Sequence, residues 1–267
     1  MIVFPNAKIN IGLNVVSKRP DGYHNLETIF YPVYLTDALE KVIAEKTGLT
    51  ITGLTIDEHV KDNLVLKAYD ILRTEFDLPP VHFHLHKVIP LGTGLGGGSA
   101  DAAFTLKMLN NFFELGLTNS QLENYAVKLG ADCAFFIRNK PTFATGIGNK
   151  FHSINLDLSE YQIIIFKPDV QVNTKDAYQN IIPRKPTFSL PDLINNPVSE
   201  WKNHVINDFE NSVFSTFPQL AKLKELIYGL GAEYVSMTGS GSALYGIFRN
   251  LPADFDKKIP TGILIYR

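Results

Sequence analysis

The segment Pro90-Leu91-Gly92-Thr93-Gly94-Leu95-Gly96-Gly97-Gly98-Ser99-Ala100 constrains this chain more than any other, because it sets five glycines in seven consecutive positions. Glycine loses more backbone freedom on folding than other residues, roughly 0.5–1 kcal/mol relative to alanine inside a regular element. Such crowding needs a purpose. The run Val81-His82-Phe83-His84-Leu85-His86 before it alternates apolar and polar residues, the period of a half-buried strand, here expected to be antiparallel. The stretch after Ser99 carries Ala102, Ala103, Leu106, Leu109 and Phe113 on one helical face. Bare backbone between a strand and a helix start lets N–H groups approach an anion closely, and the helix dipole adds to the attraction. A phosphate-binding turn is therefore expected in preference to a linker, which rarely opens directly into an amphipathic helix.

Three phosphate-binding schemes compete for this segment. A Walker A loop needs Gly-x-x-x-x-Gly-Lys-Ser/Thr, but Gly92 and Gly97 are followed by Gly98-Ser99, so the lysine is missing. A Rossmann loop needs Gly-x-Gly-x-x-Gly, which Gly92, Gly94 and Gly97 match literally. That match lacks its context, because the preceding strand alternates instead of running apolar and no βαβ unit comes before it. The third scheme is the Pro-x-Gly-x-Gly-Leu-Gly-Gly-Gly-Ser pattern itself.

Composition narrows the remaining classes. The 267 residues, 45% of them hydrophobic and 19% charged, allow one or two ordinary globular domains. A net charge of −2 supplies no basic excess for a nucleic acid or a membrane surface, so neither is an expected partner. The single cysteine, Cys133, excludes an intrachain disulfide and fits a reducing, cytoplasmic compartment. No basic, apolar leader and no apolar run of about 18 residues is present, and the chain reads as soluble and unprocessed.

Short strands are expected at residues 33–35, 40–45, 49–53 and 81–86. Helices are expected at 63–76, after Ser99, and from Thr118, whose spacing to Gln121 reads as a capping box, to Leu129 before Gly130. A new strand set begins with Ile163-Ile164-Ile165-Phe166. The reading is an α+β fold of two domains, 1–153 and 154–267, with the ligand site expected in the cleft between them. His82, His84 and His86 would stand in line on one strand face with about 6–7 Å between neighbours. No carboxylate or cysteine lies close in sequence to complete a metal site, so a solvent-facing strand is expected.

The glycine segment resembles that of the small-molecule kinases that include galactokinase, homoserine kinase, mevalonate kinase and phosphomevalonate kinase. Two further segments resemble the remaining signatures of this family: Pro5-Asn6-Ala7-Lys8-Ile9-Asn10-Ile11-Gly12-Leu13 and Met237-Thr238-Gly239-Ser240-Gly241-Ser242-Ala243. Three motifs in the family's order span almost the whole chain. The stretch Arg19-Pro20-Asp21-Gly22-Tyr23-His24-Asn25-Leu26-Glu27-Thr28, with Gly130-Ala131-Asp132 and Asn207-Asp208-Phe209-Glu210, resembles one branch. Its members phosphorylate the tertiary 2-hydroxyl of a cytidine-diphosphate-linked methylerythritol in isoprenoid-precursor biosynthesis. Asp21-Gly22 also reads as a simple hairpin turn.

The resemblance implies a two-domain kinase fold, ATP and Mg²⁺ as cofactors, and specific roles. Asp132 is implied as the base for the acceptor hydroxyl and Lys8 as its electrostatic partner, whereas in isolation Asp132 reads as a helix-terminal cap and Lys8 as a solvated strand-end lysine. Pro90, Leu91, Gly92, Thr93, Gly94, Leu95, Gly96, Gly97, Gly98, Ser99 and Ala100 are implied to hold the nucleotide, with Ser99 a candidate for reaching the metal. Lys87 is either near the nucleotide or an exposed strand-end residue. Asn10 is implied at the acceptor's hydroxyl end, and Tyr23, His24, Phe30, Thr174 and Tyr178 at its cytidine end, where aromatic residues otherwise read as core. Another kinase of the same family with a mevalonate-type acceptor, or a catalytically silent nucleotide-binding protein, are the alternatives.

Overall fold

The computed structural model describes residues 1–55, 62–179 and 181–267. In chain order the elements are β1 (Ile2–Val3), β2 (Asn6–Lys18), β3 (His24–Thr36), β4 (Ala38–Ile43), β5 (Gly48–Gly53), α1 (Leu64–Phe76), β6 (Val81–Lys87), α2 (Gly97–Phe112), α3 (Asn119–Leu129) and α4 (Phe135–Arg138). Then follow β7 (Thr142–Thr145), β8 (Lys150–Ser153), β9 (Gln162–Pro168), α5 (Thr174–Tyr178), α6 (Leu190–Leu193), α7 (Phe209–Thr216), α8 (Pro218–Gly229), β10 (Tyr234–Met237), β11 (Leu244–Phe248) and β12 (Ile263–Tyr266).

These elements form two compact units, each discontinuous in sequence: Met1–Lys8, Pro32–Leu91 and Gly96–Lys140 in one, and Ile9–Tyr31, Gly92–Leu95 and Pro141–Arg267 in the other. A single division after residue 153 does not describe them, because the 13-residue strands β2 and β3 each contribute residues to both. With β7 and β8 they form a sheet of order β2-β3-β7-β8. The expected Asp21-Gly22 turn joins β2 to β3: the Tyr23 N–H donates to the Asp21 carboxylate at 3.1 Å, and Gly22 takes a φ of +86°.

The first unit holds a sheet of order β1-β4-β6-β5. β6 buries Val81, Phe83 and Leu85 and turns its histidines to the other face, as its alternation predicts. It is not purely antiparallel, however: β4 lies antiparallel on one side and β5 parallel on the other. The parallel pairing follows from α1, the crossover helix between β5 and β6 that a parallel pair requires. α1 buries Val65, Ala68, Tyr69 and Leu72 at helical spacing and sets the Tyr69 ring edge-on to Phe83 at 5.8 Å. Asn63 caps its start by accepting the Val65 N–H, and α3 begins with the Thr118–Gln121 capping box the sequence implies. His82, His84 and His86 hydrogen-bond to Thr50 and Thr52 of β5, and no cluster of three metal-ligating side chains occurs among the described residues.

The second unit contains the antiparallel sheet β10-β11-β9-β12. Its core joins Leu13 and Val15 of β2 to Ile164 and Phe166 of β9, Val213 of α7, Leu220 and Ile227 of α8, and Leu244 of β11. No helix among the described residues is long and apolar enough to cross a membrane.

Candidate active site

The glycine segment is shaped by what it must pass. Gly94 has a φ of +79°, and a Cβ there would stand 2.0 Å from the Thr238 carbonyl oxygen. Gly96 has a φ of +74° and directly precedes α2; a Cβ there would lie 3.1 Å from the Phe136 ring and 3.2 Å from two carbons of the Lys8 stem. At both positions the left-handed backbone and the close approach each call for glycine. α2 begins at Gly97, earlier than the sequence reading, so the last glycines form its first turn. With glycine as N-cap, no side chain caps that turn, which leaves its N–H groups for an anion. Pro90, Thr93, Leu95, Gly97 and Ala100 are buried, while Leu91, Gly92, Gly94, Gly96, Gly98 and Ser99 reach the surface at least in part.

Lys8 on β2 is 2% exposed, and its ammonium lies 3.2 Å from the Asp132 carboxylate. The Asp132 side chain is one-third exposed, in the turn between α3 and α4. Its neighbour Cys133 is buried, and burial is the main cause that carries its thiol up to about 11, with a hydrogen bond with Ser99 opposing and the Asp132 charge adding to the shift. Lys8, Asp132, Ser99 and the start of α2 therefore meet in one place within the first unit. The implied pairing of Lys8 with Asp132 is realised, and Lys8 is not a solvated strand-end residue. Lys87 is also buried, at 1% exposure, so the exposed reading of that residue fails too.

In the second unit, Asn10 is 3% exposed and anchored on several sides. Its amide donates to the Thr28 hydroxyl at 3.0 Å, its backbone N–H donates to the Thr238 hydroxyl at 3.1 Å, and its carbonyl accepts from Tyr245 at 2.9 Å. The Thr238 hydroxyl in turn donates to the Gly94 carbonyl at 3.1 Å. Asn207 donates to the Met237 and Gly239 carbonyls at 2.7 and 2.9 Å and holds that turn. Thr238 and Asn207 lie in segments that carry the family resemblance, but the resemblance implies no role for either, although Gly239-Ser240-Gly241 marks a turn of the same kind as the first glycine segment.

The residues expected at the cytidine end are brought together in part. His24 stacks on Tyr178 with ring centroids 4.7 Å apart, and Tyr178 meets Phe209 edge-on at 4.8 Å. Burial, with the Lys18 charge adding to it, lowers the His24 pKa and favours a neutral ring. Tyr23, next to the hairpin turn, is 64% exposed. Thr174 exchanges a hydrogen bond with Ser240 at 2.9 Å. Phe30 departs from its expected place: it is 2% exposed and offers no surface to a base, because β3 is covered on both faces here, with Thr28, Ile29 and Phe30 all buried.

The start of α2, lined with glycine, thus lies beside a buried lysine paired with a partly exposed aspartate. Residues 63–140 match the model of the GHMP kinases N terminal domain and residues 192–257 that of the GHMP kinases C terminal. The chain belongs to this family of ATP-dependent small-molecule kinases. It is 56% identical over 252 residues to the 4-diphosphocytidyl-2-C-methyl-D-erythritol kinase of Bacteroides fragilis, covering 93% of this chain and 92% of that one. To the enzyme of that name from Parabacteroides distasonis it is 52% identical over 258 residues, with 97% and 95% covered. A crystal structure of a 4-(cytidine 5'-diphospho)-2C-methyl-D-erythritol kinase is 31% identical, with a TM-score of 0.80 over 92% of this chain and 90% of that one. At 11% identity, the mevalonate kinase of Methanococcus jannaschii shares the fold, with a TM-score of 0.72 over 100% and 96% of the two chains. Within the GHMP kinases, the chain thus falls in the branch of 4-diphosphocytidyl-2-C-methyl-D-erythritol kinases.

Proposed function

We propose that the protein transfers the γ-phosphoryl group of ATP to the 2-hydroxyl of 4-diphosphocytidyl-2-C-methyl-D-erythritol, a step of non-mevalonate isoprenoid-precursor synthesis. The observation that carries this reading is the Lys8–Asp132 pair at 3.2 Å, with the Lys8 stem lying under Gly96 where α2 begins. Nucleotide binding alone would not need an acceptor-side charge pair.

The Asp132 carboxylate takes the proton of the acceptor hydroxyl. The hydroxyl oxygen forms a bond to the γ-phosphorus, the bridging P–O bond breaks, and ADP leaves with that electron pair. Lys8 keeps Asp132 oriented and offsets charge gathering on the transferred group. Residues 90–100 hold the β- and γ-phosphates through backbone N–H groups. Ser99 is the residue that would help hold Mg²⁺ beside the nucleotide, and the cation would supply positive charge against the phosphates. Asn10 fixes the acceptor's hydroxyl end. Tyr23, His24 and Tyr178 recognise the cytosine, with Thr174 as a polar contact from 154–267. The lone, buried Cys133 supports a reducing, cytoplasmic setting.

The test is ADP release with the cytidine-diphosphate-linked acceptor against mevalonate, homoserine and galactose. The reading expects turnover with the first alone; turnover with one of the others and not with the first overturns it.

A further inference from the structure

Behind the glycine segment lies a buried charge cluster that the transfer step does not use. Lys87, the last residue of β6, donates from its ammonium to Asp101 of α2 at 2.7 Å and to Asp37. Lys87, Asp37 and Asp101 are all at most 2% exposed. Asp37, between β3 and β4, accepts the Val88 and Ile89 N–H groups on one oxygen at 2.6 and 2.8 Å, and its own N–H donates to the Pro5 carbonyl at 2.8 Å. Gly97 fits against the same group, since a Cβ there would stand 3.3 Å from the Lys87 nitrogen and 2.8 Å from Ile89. One Asp101 oxygen has no hydrogen-bond partner.

Three buried charges cost heavy desolvation, and such a cluster rarely adds net stability over apolar packing of the same volume. What this one supplies is geometry. Val88 and Ile89 lead into the glycine segment and Asp101 lies just past it, so a single ammonium fastens its two flanks. We infer that the Lys87–Asp37–Asp101 cluster is the positioning device that holds residues 90–100 and the start of α2 in shape for nucleotide phosphates. This rests on the nucleotide-binding reading above. Burial raises the Asp101 carboxyl well above the usual range; Lys87 opposes the shift and Asp37 adds to it. Losing the Asp101 charge therefore leaves the Lys87–Asp37 pair matched, and Asp101 variants are expected to fold. Lys87→Met would strand two carboxylates and is a poorer probe.

The experiment compares wild type, Asp101→Ala and Asp101→Asn in steady-state kinetics and in hydrogen exchange of residues 88–100, with and without ADP. Asp101→Ala is expected to raise KM for ATP about tenfold, with kcat within threefold and the acceptor KM unchanged, and to lose the ADP-dependent protection of the segment. Asp101→Asn keeps an acceptor for Lys87 and is expected within threefold of wild type on every parameter. A folded Asp101→Ala with wild-type KM for ATP and wild-type protection overturns the inference, even if it is less stable. If ADP protects nothing at 90–100 in the wild type, the nucleotide-binding reading itself has failed.

Discussion

Replacing Gly96 by alanine tests whether the glycine segment and Lys8 are mechanically joined. Gly96 has a φ of +74°, and an alanine Cβ would stand 3.1 Å from the Phe136 ring and 3.2 Å from the Lys8 stem. The left-handed backbone costs alanine about 1–2 kcal/mol. Forcing a methyl group into a packed site costs about 1–3 kcal/mol more. Phe136 is fully buried and has little room to give, so the Lys8 stem must move, taking its ammonium away from Asp132. Gly92→Ala is the control, because Gly92 has a similar φ of +65° but a Cβ there meets nothing within 4 Å. Urea denaturation should show a loss of about 1–2 kcal/mol for Gly92→Ala and about 2–5 kcal/mol for Gly96→Ala. In steady-state kinetics Gly96→Ala should also lose at least about tenfold in kcat, as misplacing a catalytic group by a fraction of an ångström does. If Gly96→Ala is no less stable than Gly92→Ala and keeps wild-type kcat, the proposed junction between the segment and Lys8 is wrong.

Tyr178→Ala removes the ring that His24 stacks on and should raise the acceptor KM about tenfold while leaving KM for ATP unchanged, as read by varying each substrate in turn. Equal effects on both substrates would contradict a role at the cytosine. Lys41 lies over the Phe112 ring, and burial brings its pKa down to about 8 from 10.5. The folded state thus releases this proton first, so the cost of the buried charge is complete below pH 8 and is relieved as pH rises toward 10.5. Relative to Lys41→Met, the wild type should gain stability between pH 7.5 and 9.5 in denaturant titrations. A constant difference across that range would show that Lys41 is not held at a lowered pKa.

What the sequence made legible was what local chemistry dictates. The Thr118–Gln121 capping box, the Asn63 helix start and the alternation of β6 depend on neighbours within a few residues, and each appears at its expected place. β2 escaped the reading of period because its residues 7–15 are all buried, so neither a helical nor an alternating pattern is written into them. The parallel partner of β6 was also hidden, since pairing direction is set by the crossover through α1 and not by the strand's own residues. From sequence, Lys87 reads equally as a residue near the nucleotide or as an exposed strand end. Its two carboxylate partners lie 50 and 14 residues away, and only the fold brings them to it. Lys8 and Asp132 were found through motif resemblance alone, as nothing local couples residues so far apart.

The most direct test of the account is single-turnover phosphoryl transfer to the cytidine-diphosphate-linked acceptor by Asp132→Asn, alongside ATP binding by the same protein. With the base gone and the side chain's shape kept, the account predicts a loss of about 10²–10⁴-fold in the transfer rate, the usual worth of a general base, with ATP affinity within threefold of wild type. A transfer rate within a few-fold of wild type would contradict it.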